Sequence, residues 1–363
     1  MDDVLEAVVA LQNRGQRGAL SSLIWSSGSI PMSDRAKMLV GEDGGILGTI
    51  GGGCLEAEIL ALASQVIKSQ LPQLNRFTLT EEQAGEGGLN CGGSLRILTE
   101  PVGRPDLYPE IVRARQERRA SALVSALGGS GREVPKLLVV AGRPWLGTLG
   151  SVPLDQWAVA QAEALIARGK NETEVVAVGP ALADQGGTEL FIEPYLPPPV
   201  LFIFGGGHVG GQVCRLAAQV GFRVVMVDDR PQFANAKRHP EAAQWVVGPM
   251  DQVFAQLSID DQSFVIAATR GHQHDEVVVE QAIRSPARYI GMLGSERKKL
   301  LMWQRLEARG GSRQRLDQIY APVGLNIGAD TPEEIAVSVV AELIRVRRGT
   351  VKQWKTKTSE PKA

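Results

Sequence analysis

The sequence predicts an α/β protein in two parts. An N-terminal α+β domain is built from two diverged copies of one unit, and a doubly wound parallel-sheet domain follows. Three observations predict this. Short apolar strands alternate with helical patterns along the chain. Three landmarks recur in the same order within residues 1–194. A fully apolar run at Val200 to Phe204 leads directly into a glycine turn and a helical pattern. The 363 residues are 44% hydrophobic and 22% charged, the profile of an ordinary globular chain with room for two or three domains. A net charge of −1 gives no footprint for nucleic acid or an anionic membrane. The acidic start Met1-Asp2-Asp3 does not read as a signal peptide, so none is expected, and no apolar run approaches a spanning length. Three widely spaced cysteines suit a reducing compartment, so a cytoplasmic location is expected.

Residues 3–14 read as a helix, 19–26 as a strand, and 37–40 with 46–50 as two short strands around Glu42-Asp43-Gly44-Gly45. Gly51-Gly52-Gly53-Cys54 then opens a helix reaching about Ser69. Glycines at such a junction turn the chain tightly and expose its N–H groups. Cys54 falls in the first helical turn, where the dipole favours a reactive thiol. The alternative is a small buried hydrophobe. A strand at 75–80, a glycine-rich loop carrying Cys91-Gly92-Gly93, and a strand at 94–99 complete copy 1, residues 1–104.

The order restarts in copy 2, residues 105–194, with a helix at 111–117, strands at 120–127 and 137–140, a helix at 154–167, and strands at 174–178 and 189–192. Gly48-Thr49-Ile50-Gly51 matches Gly147-Thr148-Leu149-Gly150, Gly92-Gly93-Ser94 matches Gly186-Gly187-Thr188, and Glu100-Pro101 matches Glu193-Pro194. In this register Cys54 falls opposite Pro153, Cys91 opposite Gln185 and Glu56 opposite Asp155. Copy 2 keeps the turn and lacks both thiols. Proline and glutamine are poor replacements for a core filler, so the comparison favours a functional role for Cys54 and Cys91. Cys214 lies inside a later helix and reads as core.

A proline-rich linker at 195–199 precedes the domain at 200–348. Gly205-Gly206-Gly207-His208-Val209-Gly210 follows the first strand, and Asp228-Asp229-Arg230-Pro231 ends the second. This is the Rossmann-like dinucleotide fingerprint in context: glycines beside a pyrophosphate at a helix N-terminus, and an acid for a ribose hydroxyl. Asp228 favours an unphosphorylated ribose, as in NAD. The same pattern also fits a retained fold that has lost its ligand. Strands follow at 245–247, 263–268 and 287–292. Between the last two, Arg270, His272, His274 and Asp275 occupy a carboxyl-edge loop, suited to a metal or, with Asp275 as N-cap, to starting a helix. Gly294, Ser295, Arg297 and Lys298 form a second glycine turn suited to an anion or to a solvated helix face. Thr331-Pro332-Glu333-Glu334 starts the last helix, to about Arg347. The lysine-rich tail, 349–363, is expected to be disordered.

Together these pieces resemble the xanthine dehydrogenase accessory family, XdhC/CoxI. The resemblance rests on Gly48 to Glu58, Cys91-Gly92-Gly93, Gly205 to Gly210 with Val227 to Pro231, Thr269 to Asp275, Tyr289 to Lys298, and Ala321 to Ile335. It implies a chaperone that binds the molybdenum cofactor (molybdopterin), assists its sulfuration with a cysteine desulfurase, and inserts it into a xanthine dehydrogenase-type molybdoenzyme alongside cofactor biosynthesis proteins. In that reading Cys54, Cys91 and Glu56 carry the chemistry, the two thiols meet the molybdenum, and the glycine turns hold the cofactor. The competing functions are an NAD-dependent oxidoreductase and a non-catalytic nucleotide-recognising scaffold. A homodimer is the expected assembly.

Overall fold

The computed structural model describes residues 2–28, 33, 35–79, 93–103, 105–129, 131–169, 171–179, 182 and 189–349. Cys91, Gly92 and the tail beyond Gly349 lie outside them. The chain divides between Pro197 and Pro198 into two compact units.

The N-terminal unit runs α1 (Asp2–Asn13), β1 (Gly18–Gly28), β2 (Lys37–Gly41), β3 (Ile46–Thr49), α2 (Gly53–Ser69), β4 (Gln73–Leu79) and β5 (Gly93–Pro101). The succession repeats as α3 (Leu107–Gln116), β6 (Ser121–Leu127), β7 (Lys136–Val140), β8 (Leu146–Thr148), α4 (Val152–Ala167), β9 (Glu174–Ala177) and β10 (Glu189–Tyr195). Both sheets are antiparallel with equivalent strand orders, β3-β2-β1-β5-β4 and β8-β7-β6-β10-β9. The sequence reads β8 as part of a turn; three residues are too few to show strand alternation. β10 runs on through Tyr195, which is buried, so the proline-rich link starts at Leu196.

Strand alternation sends side chains to two cores. Ala19 and Leu23 of β1, with Met38 and Val40, pack against Leu55, Ile59, Ala63 and Val66 of α2. Copy 2 packs Ala122, Val124 and Ala126 against α4 in the same way. Leu20 and Leu39 face the other way and share a core with α1, α3 and Leu123, Leu138 and Val140 of copy 2. Two buried ion pairs cross between the copies. Lys37 Nζ lies 2.6 Å from Glu193 Oε1, and Lys136 Nζ lies 2.9 Å from Glu100 Oε1. Each lysine also donates to a serine of its own copy, Ser22 at 2.7 Å and Ser125 at 2.8 Å. The glutamates are those of the two repeated Glu-Pro pairs.

The second unit holds five parallel strands: β11 (Val200–Phe204), β12 (Arg223–Asp228), β13 (Gln244–Val247), β14 (Phe264–Ala267) and β15 (Tyr289–Met292). Their order is β13-β12-β11-β14-β15, with the chain reversing its winding between β11 and β14. Helices cover both faces, as a parallel sheet requires. α5 (His208–Gln219) and α9 (Pro332–Arg348) pack on Leu201, Ile203, Val224 and Met226. α6 (His272–Arg284) and α7 (Glu296–Ala308) pack on Phe202, Phe204 and Val225. A short α8 (Arg313–Leu316) follows α7. Thr331 and Glu334 form a full capping box at the start of α9, with Pro332 in the first turn.

Candidate functional site

In the N-terminal unit the site begins where β3 leaves its sheet. Gly51, Gly52 and Gly53 all have left-handed backbones, at φ of 99°, 76° and 66°. Only glycine adopts three such conformations in succession without a steric cost. The turn brings the chain from β3 into α2 with Gly52 as N-cap and Cys54 two residues later. The Cys54 thiol is free and exposed. Its neighbours are anchored, since Ile50 and Leu55 are both buried in the core beneath α2. Glu56, half-buried, accepts a hydrogen bond from the Thr49 hydroxyl across the turn.

Register fixes where the second predicted element resumes. Thr49 pairs with Lys37, Lys37 with Ser22, and Gly93 with Gly28 at the far end of β1. The exit of β3 and the first residue of β5 therefore stand six residues apart along β1, about 20 Å of strand.

The second candidate site is the carboxyl edge of the parallel sheet, at the β11/β14 reversal where such folds bind ligands. The glycines divide into packed and open positions. A β-carbon on Gly205 would stand 2.2 Å from the Ala268 carbonyl oxygen, and one on Gly210 would stand 1.9 Å from that of Gly205. On Gly206 it would stand 1.9 Å from the Phe233 carbonyl oxygen, while on Gly207 it would meet nothing within 4 Å. His208, at the start of α5, is exposed.

Asp228 is buried at the end of β12. Its Oδ1 accepts from the Arg230 N–H at 3.1 Å and Nε at 2.9 Å; its Oδ2 accepts from the Gly206 N–H at 2.9 Å and Arg230 Nη2 at 3.2 Å. A carboxylate has about four acceptor positions, so all of them are used within the unit. Burial alone would raise the Asp228 carboxyl. Its bonds to the Arg230 side chain, the Gly206 N–H and the Arg230 N–H outweigh that and hold it below its ordinary 3.8. Asp229 binds Arg270 at 2.8 Å. Arg230 and Arg238 both stack on the Phe233 ring, at 3.6 and 4.6 Å from its centre.

The predicted anion turn has two halves. Ser295 caps α7 through the Lys298 N–H, and Arg297 is exposed. Lys298 instead reaches Asp275 and the Leu293 carbonyl. A β-carbon on Gly294 would press on the Lys298 side chain, at 2.7 Å from Cδ. Asp275 is not the N-cap of α6; that position is Gly271. Asp275 lies in the first turn and accepts from the Thr269 N–H at 2.9 Å and hydroxyl at 2.7 Å. The side chain of His272 lies outside the described residues. Among the described residues no three His, Cys, Asp or Glu side chains gather as a metal site.

The two units each match a family model. Residues 11–78 match the XdhC and CoxI family, and residues 201–343 match the XdhC Rossmann domain. The chain belongs to the XdhC and CoxI family. The first match takes in Gly51 to Cys54, and the second takes in the glycine turns of the parallel sheet. A Bacillus subtilis (strain 168) protein, named as a probable subunit of xanthine dehydrogenase, is 27% identical over 93% of this chain and 96% of its own. The Escherichia coli (strain K12) "Molybdenum cofactor insertion chaperone PaoD" is 24% identical over 94% of this chain and 86% of its own. A Bacillus halodurans structure described as a xanthine dehydrogenase superposes with a TM-score of 0.76 at 26% identity, covering 98% of each chain.

Within this XdhC/CoxI chain, sequence reasoning missed Thr49 and the packing of Phe233, Arg238 and His239 onto the Gly205–Gly207 turn. The Gly206 carbonyl accepts from Arg238 Nε and lies 3.2 Å from His239 Nε2. A signal for Thr49 was present: Thr148 stands at the same place in copy 2. The 233–239 segment gave none, because its role depends on contacts across about 30 residues of chain.

Proposed function

We propose that this chain binds the molybdenum cofactor as cargo and delivers it to a xanthine dehydrogenase-type molybdoenzyme, assisting exchange of an oxo for a sulfido ligand with sulfur from a cysteine desulfurase. The observation that carries this reading is Cys54. Its thiol is exposed on a turn of three left-handed glycines, and the second copy keeps the preceding turn without a thiol. The name of the Escherichia coli relative, a molybdenum cofactor insertion chaperone, supports the same role. The donor chemistry fits, since thiolates are soft ligands and molybdenum accepts sulfur. Exposed N–H groups at the start of α2 suit an anionic cargo. Copy 2 has Gln185 opposite Cys91 and so lacks this thiol as well, which favours a role for the second cysteine.

The test is molybdenum and pterin analysis of protein purified from a cofactor-producing host. Wild type is expected to retain both, Cys54→Ala to lose most of each, and Cys91→Ala to fall between. Activation of the apo-molybdoenzyme should drop in the same order. Full retention and activation by both variants would remove the thiol role.

The nicotinamide reading has less support, because a ribose hydroxyl at Asp228 would have to displace Arg230. The open space over Gly207 favours a smaller demand on this edge, contact with a phosphate-bearing group of a nucleotide or of the cargo. Calorimetry with NAD and with a cytidine nucleotide separates these. Light scattering checks the expected homodimer.

A further inference from the structure

We infer that Glu56 is a positioning residue: through Thr49 it holds the turn that presents Cys54, and it takes no part in proton transfer. The inference rests on the reading of Cys54 as the working thiol. Its type and its place beside Cys54 suggest an acid–base group. The geometry points elsewhere.

The hydrogen bond from Thr49 to Glu56 joins the last residue of β3 to the first turn of α2. Cys54 lies inside the loop that this bond closes. Ile50 and Leu55 root the same loop in the core. Without the bond, the segment Gly51 to Gly53 loses a tie between the strand and the helix that flank it, and glycine has the largest freedom to lose.

Copy 2 is the internal control. Thr148 donates to Asp155 Oδ2 at 2.7 Å, and the Leu149 N–H donates to Oδ1 at 2.6 Å. Leu149 and Leu154 are rooted as Ile50 and Leu55 are. Gly147 and Gly150 repeat the left-handed backbones of Gly48 and Gly51, at 86° and 116° against 86° and 99°. This loop carries Pro153 where Cys54 would be and has no thiol to activate. The carboxylate and its threonine therefore serve the strand-to-helix turn itself. A third turn repeats the device: Thr269, after β14, donates to Asp275 in the first turn of α6. What distinguishes copy 1 is the cargo end of the loop, three glycines and a thiol, set on a clamp that all three turns share.

The test uses the full-length protein and reads two things. The first is amide hydrogen exchange of Gly51 to Leu55. The second is the rate of Cys54 alkylation against pH, resolved by peptide mass spectrometry; neither needs the cofactor. Thr49→Ala and Glu56→Ala should each speed exchange roughly 5- to 10-fold, the ratio expected for one lost hydrogen bond. The double variant should be no worse than either single one, because both remove the same bond. Thr49→Ser and Glu56→Gln keep a donor and an acceptor, so both should restore exchange, and the Glu56→Gln alkylation profile should superimpose on that of wild type. If Glu56→Gln behaves as Glu56→Ala while Thr49→Ala behaves as wild type, the carboxylate acts through its charge or proton and the inference falls. Thr49 is exposed, so its variants give a result even if Glu56→Ala fails to fold. Should Cys54→Ala retain full molybdenum, the thiol reading fails while the exchange pattern still decides the clamp.

Discussion

Replacing Lys37 by methionine tests how the two copies are held together. Lys37 and Glu193 keep only 3% and 5% of their side-chain surface in solvent, at a separation of 2.6 Å. Methionine fills similar space, so the change removes the charge and leaves most of the packing. It strands a buried carboxylate without its cation and Ser22 without its donor. Breaking a buried pair from one side costs about 3–5 kcal/mol. For a unit of this size, each kcal/mol moves the melting temperature by about 2–4 °C, so a fall on the order of 10 °C is expected. Calorimetry should show it in the transition of the N-terminal unit, with that of the parallel-sheet unit unmoved. Adding Glu193→Leu to Lys37→Met should recover most of the loss, since a matched apolar pair is often as stable as a buried ion pair. Lys136→Met should reproduce the single variant through Glu100. A loss below about 1 kcal/mol, or a double variant as unstable as the single, would show that the pair does not couple the copies.

Gly206→Ala should destabilise the parallel-sheet unit by about 3 kcal/mol or more, because its β-carbon would meet the Phe233 carbonyl; Gly207→Ala, with open space, should stay within about 0.5 kcal/mol of wild type in urea titration. The same unit should lose stability on acidification in two stages. Burial holds His239 below its ordinary 6.5, against its bonds to the Gly206 and Phe233 carbonyls, so the unfolded chain binds the first proton as the pH falls past 6.5. Asp228 also sits below its ordinary value, so its contribution is present above 3.8 and lost as the pH falls through the folded value. His239→Gln should remove the first stage and Asp228→Asn the second, read by urea midpoints against pH. Alkylation of the native protein should modify Cys54 and spare Cys214, whose thiol burial and then Glu241 push up to about 12. Cys214 should react only after denaturation.

What the sequence revealed divides along physical lines. Local patterns were readable: the apolar run at Val200–Phe204, the glycine turn after it, and the capping box at Thr331 each depend on residues within a few positions of one another. The equivalence of the two copies was readable because matching turns need matching glycines. Features made by distant residues were not. Lys37 and Glu193 look like surface charges in the sequence, since nothing local says that two sheets will bury them. Asp228 reads as free for a ribose in the sequence, because the Gly206 N–H meets it only after β11 and β12 are paired, and because sequence alone does not say that the Arg230 side chain, two residues on, folds back onto it. β8 is too short to show alternation, and Asp275 reads as a cap because its sequence position suits one. In the candidate site, the Cys54 turn was legible and its Thr49 clamp was legible only by comparison with copy 2.

That comparison explains why a duplicated unit is informative from a single chain. A feature found in both copies is accounted for by the fold they share: the left-handed glycines at 48 and 51, the threonine-to-carboxylate link, and the lysine–serine–glutamate triads that join the sheets. A feature found in one copy is not demanded by that fold. Gly52 and Gly53 are left-handed, whereas Ser151 opposite Gly52 is extended, at φ −146°. A chain that needed only to start a helix would use a residue such as Ser151, which costs less backbone entropy than glycine. Copy 1 carries two further glycines and an exposed thiol at this one junction, which the fold shared with copy 2 does not account for, and that difference is the support for the role proposed for the turn.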